Sequence, residues 1–317
     1  MTKEERDVKK VIVVGSLNFD IAVYTPRFST PGESVLGNSV VLGVGGKGSN
    51  QATAAHRSGA ETVMIGQVGR DFMAELLHKH YLEEGMSERY ITVTDKAETG
   101  SGVIEIDPSG QNSIIVVKGA NGTLSDVEVM KAADEFKSAD VVLTQLETGF
   151  SSIEKAKELA QENGIPFIIN PAPHQPVPDG LFDGVDYLTP NETECEYFSG
   201  VRVTDEKSAE TAAERLLEMG AKNIIITLGK SGVYYAGREG RMMVPTTDLK
   251  SVDSTGAGDA FNGAFAVAVS EGMEIVTALK FANCVASLSV TRYGASKAMP
   301  YRSESEKLLK DYYGVTL

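Results

Sequence analysis

Residues 43–51 read Gly-Val-Gly-Gly-Lys-Gly-Ser-Asn-Gln, so Gly43 to Gly48 spell G-x-G-x-x-G. A dinucleotide-binding fold follows only if a strand runs directly into the glycines, a helix leaves them, and an acid stands about 20 positions on. The preceding stretch, 31–42, is broken by Pro31 and several glycines. The N-terminal strand–turn–helix place is taken instead by 11–16, whose loop, Gly15-Ser16-Leu17-Asn18-Phe19-Asp20, has no glycine cluster. At the distance where the acid is needed stand Gly69 and Arg70, with Asp71 a weak match. A phosphate-binding P-loop fails too, because the order G-x-x-x-x-G-K-[ST] is absent. A tight turn entering a helix near Asn50 accounts for one or two glycines, but not for four within six residues beside Lys47, Asn50 and Gln51. Glycine admits a ligand close to the backbone, and a lysine with two amides supplies directional hydrogen bonds. A polyhydroxylated ligand, a sugar first of all, suits that set.

Outward from this stretch, strand-like and helix-like runs alternate along most of the chain. Strands are predicted at 11–16, 62–68, 141–146, 166–170, 187–189 and 223–228, several of them continuous and β-branched, as in strands covered on both faces. Ser125-x-x-Glu128 and Ser151-x-x-Glu154 have the spelling of a capping box ahead of helices. A helical pattern at 206–219 stops at Gly220, and Ile275, Ala278, Leu279, Ala282, Val285 and Ala286 form another buried stripe. Such alternation predicts a mostly parallel sheet between helical layers. Two regions interrupt it: 21–43, and 102–118 with a turn at Asp107-Pro108-Ser109-Gly110. Both read as β structure outside the main sheet, a lid drawn from about 18–46 and 98–120. With no domain-sized linker, 1–317 reads as one domain.

The chain has 317 residues, 42% of them hydrophobic and 23% charged, the balance of a globular protein with a sizeable core. Its net charge of −14 argues against nonspecific binding to nucleic acid or anionic membranes. It leaves room for an anionic small molecule, because backbone N–H groups bind phosphate without net positive charge. No apolar run reaches the ~18 residues of a membrane span, and the polar N-terminus gives no secretory signal, so a cytoplasmic location is expected. Cys195 and Cys284 read as reduced core thiols, and His56, His78, His80 and His174 have no zinc spacing, with His78 and His80 expected on a solvated surface.

The stronger chemical signal is Asp-Ser-Thr-Gly-Ala-Gly-Asp-Ala-Phe-Asn-Gly-Ala-Phe at 253–265. Gly256, Ala257 and Gly258 would open a helix whose free amides and dipole form an anion hole, with Asp259 in the first turn. A first-turn carboxylate is common as a stabilising charge alone. Beside an anion hole, however, it can take the proton of an attacking alcohol while the amides hold the phosphoryl group. A third cluster, Thr189-Pro190-Asn191-Glu192-Thr193-Glu194, places Asn191 and Glu194 three apart at a helix start. It reads equally as an acid-rich helix N-terminus or as oxygen ligands for Mg²⁺.

These segments together resemble the PfkB family of carbohydrate kinases. The resemblance runs from about Val11 to Pro300, through GSLNFD (15–20), TPGE (30–33), GGKGSNQA (45–52), GAN (119–121), QLE (145–147), NPAP (170–173), TPNETE (189–194), DSTGAGDAFNGAF (253–265) and VTRYGA (290–295). It implies a three-layer α/β/α fold with a mostly parallel sheet, a small β-lid over a sugar site, and a homodimer joined through the lid. It further implies ATP-dependent phosphorylation of D-ribose at the 5-hydroxyl. Asp259 would be the base, and the amides of Gly256, Ala257 and Gly258 would stabilise the transferring group. Asn18, Asp20, Gly46, Lys47, Asn50 and Glu147 would hold the sugar. Asn191, Thr227, Gly229, Gly232, Gly258 and Asn283 would line the nucleotide, with Glu194 on Mg²⁺ through water. A monovalent cation, usually K⁺, is implied beside Asp253, Thr255 and Gly294.

This chain departs from the family pattern at one position. Where the family commonly has a serine four residues past Gly294, it has Ala298, and Ser296 is out of register. The resemblance therefore supports the cation less firmly than the transfer. Asn18 favours ribose over 2-deoxyribose, because a site built to bond a hydroxyl penalises its loss. Fructose and nucleosides remain open as acceptors. A sugar sensor without catalysis and a dinucleotide-dependent oxidoreductase are the readings from other classes. The intact base and anion hole disfavour the first, and the misplaced glycines disfavour the second.

Overall fold

The structure, a computed structural model, describes residues 8–109 and 111–317. Thirteen strands form two sheets among these residues: β1 (Lys10–Val14), β2 (Asn18–Tyr24), β3 (Ser39–Gly45), β4 (Glu61–Val68), β5 (Ser87–Val93), β6 (Gly100–Ile106), β7 (Asn112–Val117), β8 (Val141–Gln145), β9 (Phe167–Asn170), β10 (Tyr187–Leu188), β11 (Ile224–Thr227), β12 (Val233–Gly237) and β13 (Gly240–Val244). The larger sheet runs β13-β12-β11-β10-β9-β8-β1-β4-β5. It is parallel from β11 to β5 and antiparallel only where β12 and β13 close one edge.

Strand β1 shows why the sheet has two covered faces. Its alternate side chains feed separate apolar layers, Val11 and Val13 on one side, Ile12 and Val14 on the other. Phe261, Phe265 and Phe281, from the helices Ala257–Ser270 and Ile275–Ser289, pack in the first layer, while Ile153 and Leu216, from Phe150–Glu162 and Glu206–Glu218, pack in the second. This is the expected three-layer arrangement. Cys284 and Cys195 are buried thiols, one in each layer.

The smaller sheet, ordered β3-β2-β6-β7, is the expected lid, and its strands fall within the predicted stretches. Asn18 pairs with Gly45 on one side and Gly100 on the other, so three lid strands meet the body along one line. The predicted turn at 107–110 includes Gly110, which lies outside the described residues; Asp107 Oδ1 accepts from the Ser109 and Gln111 amides.

Several local expectations are corrected. Strands β5, β12 and β13 were not predicted; β5 is a polar-alternating edge strand, and β12 and β13 follow β11 across glycine turns. The Ser125 capping box forms, but its helix, Asp126–Met130, is a single short turn. Ser151 caps nothing, because the helix Phe150–Glu162 already begins at Phe150 behind Gly149, and Ser152 bonds back to the Gly149 carbonyl. The helix expected near Asn50 starts at Lys47, with Gly46 at φ 86° as its cap residue. His80 is buried in that corner of the body, and His78 pairs with Glu88 rather than standing in solvent alone.

Candidate active site

Asp259 occupies the first turn of the helix Ala257–Ser270, whose cap residue, Gly256, takes the left-handed conformation at φ 76°. Only 7% of Asp259 is exposed. Both carboxylate oxygens accept from the 47–57 helix: Asn50 Nδ2 donates to Oδ2 at 2.9 Å, and Gln51 Nε2 to Oδ1 at 3.0 Å. Gln51 Nε2 also donates to Asn170 Oδ1 at 3.0 Å, and its Oε1 accepts from Gln145 Nε2 at 2.7 Å. Burial raises the Asp259 pKa, and Lys47 and the two amides offset part of that rise.

A cavity of about 160 Å³ opens between Asp259 and the helix start. It collects residues separated by more than two hundred positions in sequence: Lys47, Asn191, Glu194, Thr227, Gly256, Ala257 and Gly258. Burial alone would lower the Lys47 pKa, but Asp259, Glu147, Glu194 and Asp20 raise it above its ordinary value. Lys47 is therefore a cation held among four carboxylates, in reach of any anion entering the cavity.

Asn191 and Glu194 do form a capping box. Asn191 Oδ1 accepts from the Glu194 amide at 2.8 Å, and Glu194 Oε2 from the Asn191 amide at 2.9 Å. The helix-start reading is thus observed: one oxygen of each side chain starts the helix Glu192–Ser199, and both residues also line the cavity. Burial pushes the Glu194 pKa up.

A second cavity, about 450 Å³, lies under the lid and touches Asp20, Tyr24, Val41, Ile104, Tyr293 and Gly294. Asp20 is pushed up to about 7, by burial first and then by Glu147 and Asp259, with Lys47 opposing. A Cβ at Gly45 on the neighbouring strand would strike the Asp20 carboxylate, so glycine there is what lets Asp20 lie across the sheet. Asn18, at the start of the same strand, accepts at Oδ1 from Asn121 Nδ2, 2.7 Å away.

Glu147 has a duty that sequence reasoning missed. Its Oε2 accepts from the Lys47 amide at 3.0 Å and from the Ser16 hydroxyl, so it caps the 47–57 helix from outside. Asp253 is likewise a clasp, taking the Thr255 amide on Oδ1 and the Gly294 amide on Oδ2, each at 2.9 Å. Seven predicted residues, Asn18, Gly46, Asn50, Glu147, Gly229, Gly232 and Asn283, lie outside both cavity linings. Asn283 is buried, with Nδ2 directed at the Val244 and Pro245 carbonyls. Asn121, Gln145 and Ser296 join the site without having been singled out as site residues. The only sequence signal for the first was its place in the GAN stretch.

A buried carboxylate in the first turn of a glycine-opened helix, with Lys47 lining the same cavity, is an arrangement suited to moving a phosphoryl group. The comparisons agree. Residues 8–302 match the model of the pfkB family of carbohydrate kinases. The ribokinase of Haemophilus influenzae is 36% identical over 302 residues, covering 95% of this chain and 99% of that protein. The ribokinase of Bacillus subtilis is 37% identical over 302 residues, 95% of this chain and 100% of that one. Among solved structures, a ribokinase of Arabidopsis thaliana complexed with ribose and ATP superposes with a TM-score of 0.88 at 32% identity, over 96% of this chain and 99% of that one. The chain belongs to the PfkB family of carbohydrate kinases and is a phosphotransferase.

Proposed function

We propose that the protein transfers the terminal phosphoryl group of ATP to the 5-hydroxyl of D-ribose, giving D-ribose 5-phosphate and ADP. The observation that carries this reading is the shared cavity of Asp259 and the amides of 256–258. Asp259 takes the hydroxyl proton as the new O–P bond forms and the bond to the ADP oxygen breaks. Charge on the phosphoryl oxygens is met by the helix-start amides and by Lys47. The placement of Lys47 supports a part in binding phosphate beyond the sugar contact that the family resemblance implies.

Asn18, Asp20, Gly46, Asn50 and Glu147 hold the sugar in this reading. Asn191, Thr227, Gly229, Gly232 and Asn283 serve the nucleotide. The Glu194 oxygen not used in the capping box suits Mg²⁺ held through water, an ion that neutralises phosphate charge when bound. Asp253, Thr255 and Gly294 form a joined pair of loops suited to a monovalent cation, but the departure at Ala298 stands, and Ser296 is turned away toward Asn50. Val40, Val41, Leu42 and Ile114 to Val117 are exposed on the lid, which supports a homodimer through it. No helix among the described residues is long and apolar enough to cross a membrane, in keeping with a cytoplasmic enzyme.

One observation favours a second reading. The cavity under the lid is largely apolar along Tyr24, Val41, Ile104 and Tyr293, and would suit an acceptor with a flat substituent, such as a nucleoside. ADP release measured with ribose, 2-deoxyribose, fructose and nucleosides separates the two. Ribose is expected to be preferred; release independent of any sugar overturns the kinase reading. Asp259→Asn is expected to fold, bind both ligands and lose at least ~100-fold in kcat. Retained turnover removes Asp259 from the mechanism.

A further inference from the structure

Asn50 and Gln51 each present an NH₂ group to Asp259, and neither amide is left to choose its own orientation. An ionised carboxylate only accepts hydrogen bonds, so each amide must turn its nitrogen toward it. Each carbonyl oxygen then points away and needs a donor. For Gln51 the donor is Gln145 Nε2, at 2.7 Å. For Asn50 it is the hydroxyl of Ser296, 2.6 Å from Oδ1 and 246 positions away in the chain.

Ser296 is 1% exposed, and among the described residues its hydroxyl makes this one hydrogen bond. It sits in the turn Ser296–Ala298, two residues past Gly294, whose amide is clasped by Asp253. The loop that begins at the clasp therefore ends on an amide that touches the base.

We propose that Ser296 is a positioning residue for phosphoryl transfer: its hydroxyl locks the Asn50 amide with Nδ2 toward Asp259, and through it ties the 290–298 loop to the base. This rests on the reading of Asp259 as general base. Without the Ser296 hydroxyl the Asn50 amide is held at its nitrogen end alone, and its buried oxygen loses its donor. The amide can then swing, and the carboxylate it steadies leaves its line to the acceptor hydroxyl, where small misplacement is costly in rate. Ser296 is not itself in either lining, although its neighbours Ala295 and Lys297 line the cavity under the lid, and its hydroxyl reaches the base through Asn50.

The test is a double-mutant cycle on kcat with Ser296→Ala and Asn50→Ala, with melting temperature followed in each protein. Ser296→Ala is expected to fold, keep the KM for ATP and lose about tenfold in kcat, the scale of one oriented hydrogen bond. In the Asn50→Ala background the same change is expected to do nothing further, because no amide remains to be locked. Ser296→Thr, which keeps the hydroxyl, is expected to recover most of the loss. Equal losses in both backgrounds, no loss in either, or failure of Ser296→Ala to fold would each overturn the proposal in favour of a packing role. Asp259→Asn run alongside separates the two readings. Retained turnover there sinks the base assignment, whereas lost turnover there with an additive cycle sinks only the link through Ser296.

Discussion

Strand β1, Lys-Val-Ile-Val-Val, is buried at all five positions, while β7, Asn-Ser-Ile-Ile-Val-Val, is exposed at all six. Both carry runs of β-branched residues, and composition gives no hint of the difference. Strand β1 lies between β4 and β8 with a helical layer on each face, whereas β7 is the outer strand of the four-stranded sheet and stays exposed along its whole length. An apolar run buried in the body is a core; the same run on an uncovered lid edge is a surface that profits from a partner. In the proposed function the lid then serves both as a wall of the acceptor cavity and as the homodimer interface, while the body holds the groups that need low exposure.

The sharpest way to break this comparison is to place one charge in each strand. Val13→Asp is expected to cost at least about 4 kcal/mol and leave little folded protein by circular dichroism, since nothing there can pair the carboxylate. Ile115→Asp is expected to leave the melting temperature of the isolated protomer nearly unchanged, while shifting the sedimenting species from dimer to monomer. A monomer before and after that change would mean the lid edge is not the interface.

A smaller effect is expected at the lid root. Asn121 takes the Leu17 amide on its oxygen at 2.8 Å, which turns its nitrogen onto Asn18 Oδ1 and, in the proposed function, leaves Asn18 Nδ2 for the sugar. Asn121→Ala is expected to lower kcat/KM for ribose roughly tenfold and for 2-deoxyribose less, the pattern of a lost oriented donor. Equal losses for both sugars would mean that Asn18 does not read the 2-hydroxyl.

The mildest effect concerns pH. Asp20 is raised to about 7, so it is protonated below that value and ionised above it. If it accepts hydroxyl protons from the sugar, kcat/KM for the sugar should climb as pH rises through about 7, and Asp20→Asn should abolish that step while lowering the plateau. The same raised pKa means that ionising Asp20 costs folding stability, a cost that begins above its unfolded-state value and is complete above about 7. A wild-type profile flat from pH 6 to 8 would remove Asp20 from this role.

Much of the site was legible because its motifs are local. Asp259 follows Gly256-Ala257-Gly258 directly, within the same first turn, and Asn191 and Glu194 encode their own capping box. The G-x-G-x-x-G spelling at 43–48 misleads for the same local reason: only Gly46 acts as a cap residue, and Lys47 and Gly48 are already helix. Glu147 was legible as a site residue but not as the acceptor for the Lys47 amide, since that bond spans one hundred positions. The strands β12 and β13 were missed because a short antiparallel hairpin at a sheet edge lacks the long apolar run that marks a buried parallel strand.

By itself, the sequence determined the alternation of strands and helices, the presence of a lid, the glycine-opened helix with its carboxylate, and the family. Each depends on patterns within a few residues or on motif order, which the chain carries whatever its path. Only the tertiary structure decided that Asn50 and Gln51 turn to Asp259, that Lys47 lines the cavity at the helix start, and that Ser296 stands behind Asn50. Those partnerships form between segments some two hundred residues apart, and buried amides and carboxylates take their orientation from whichever donor or acceptor the packing brings against them.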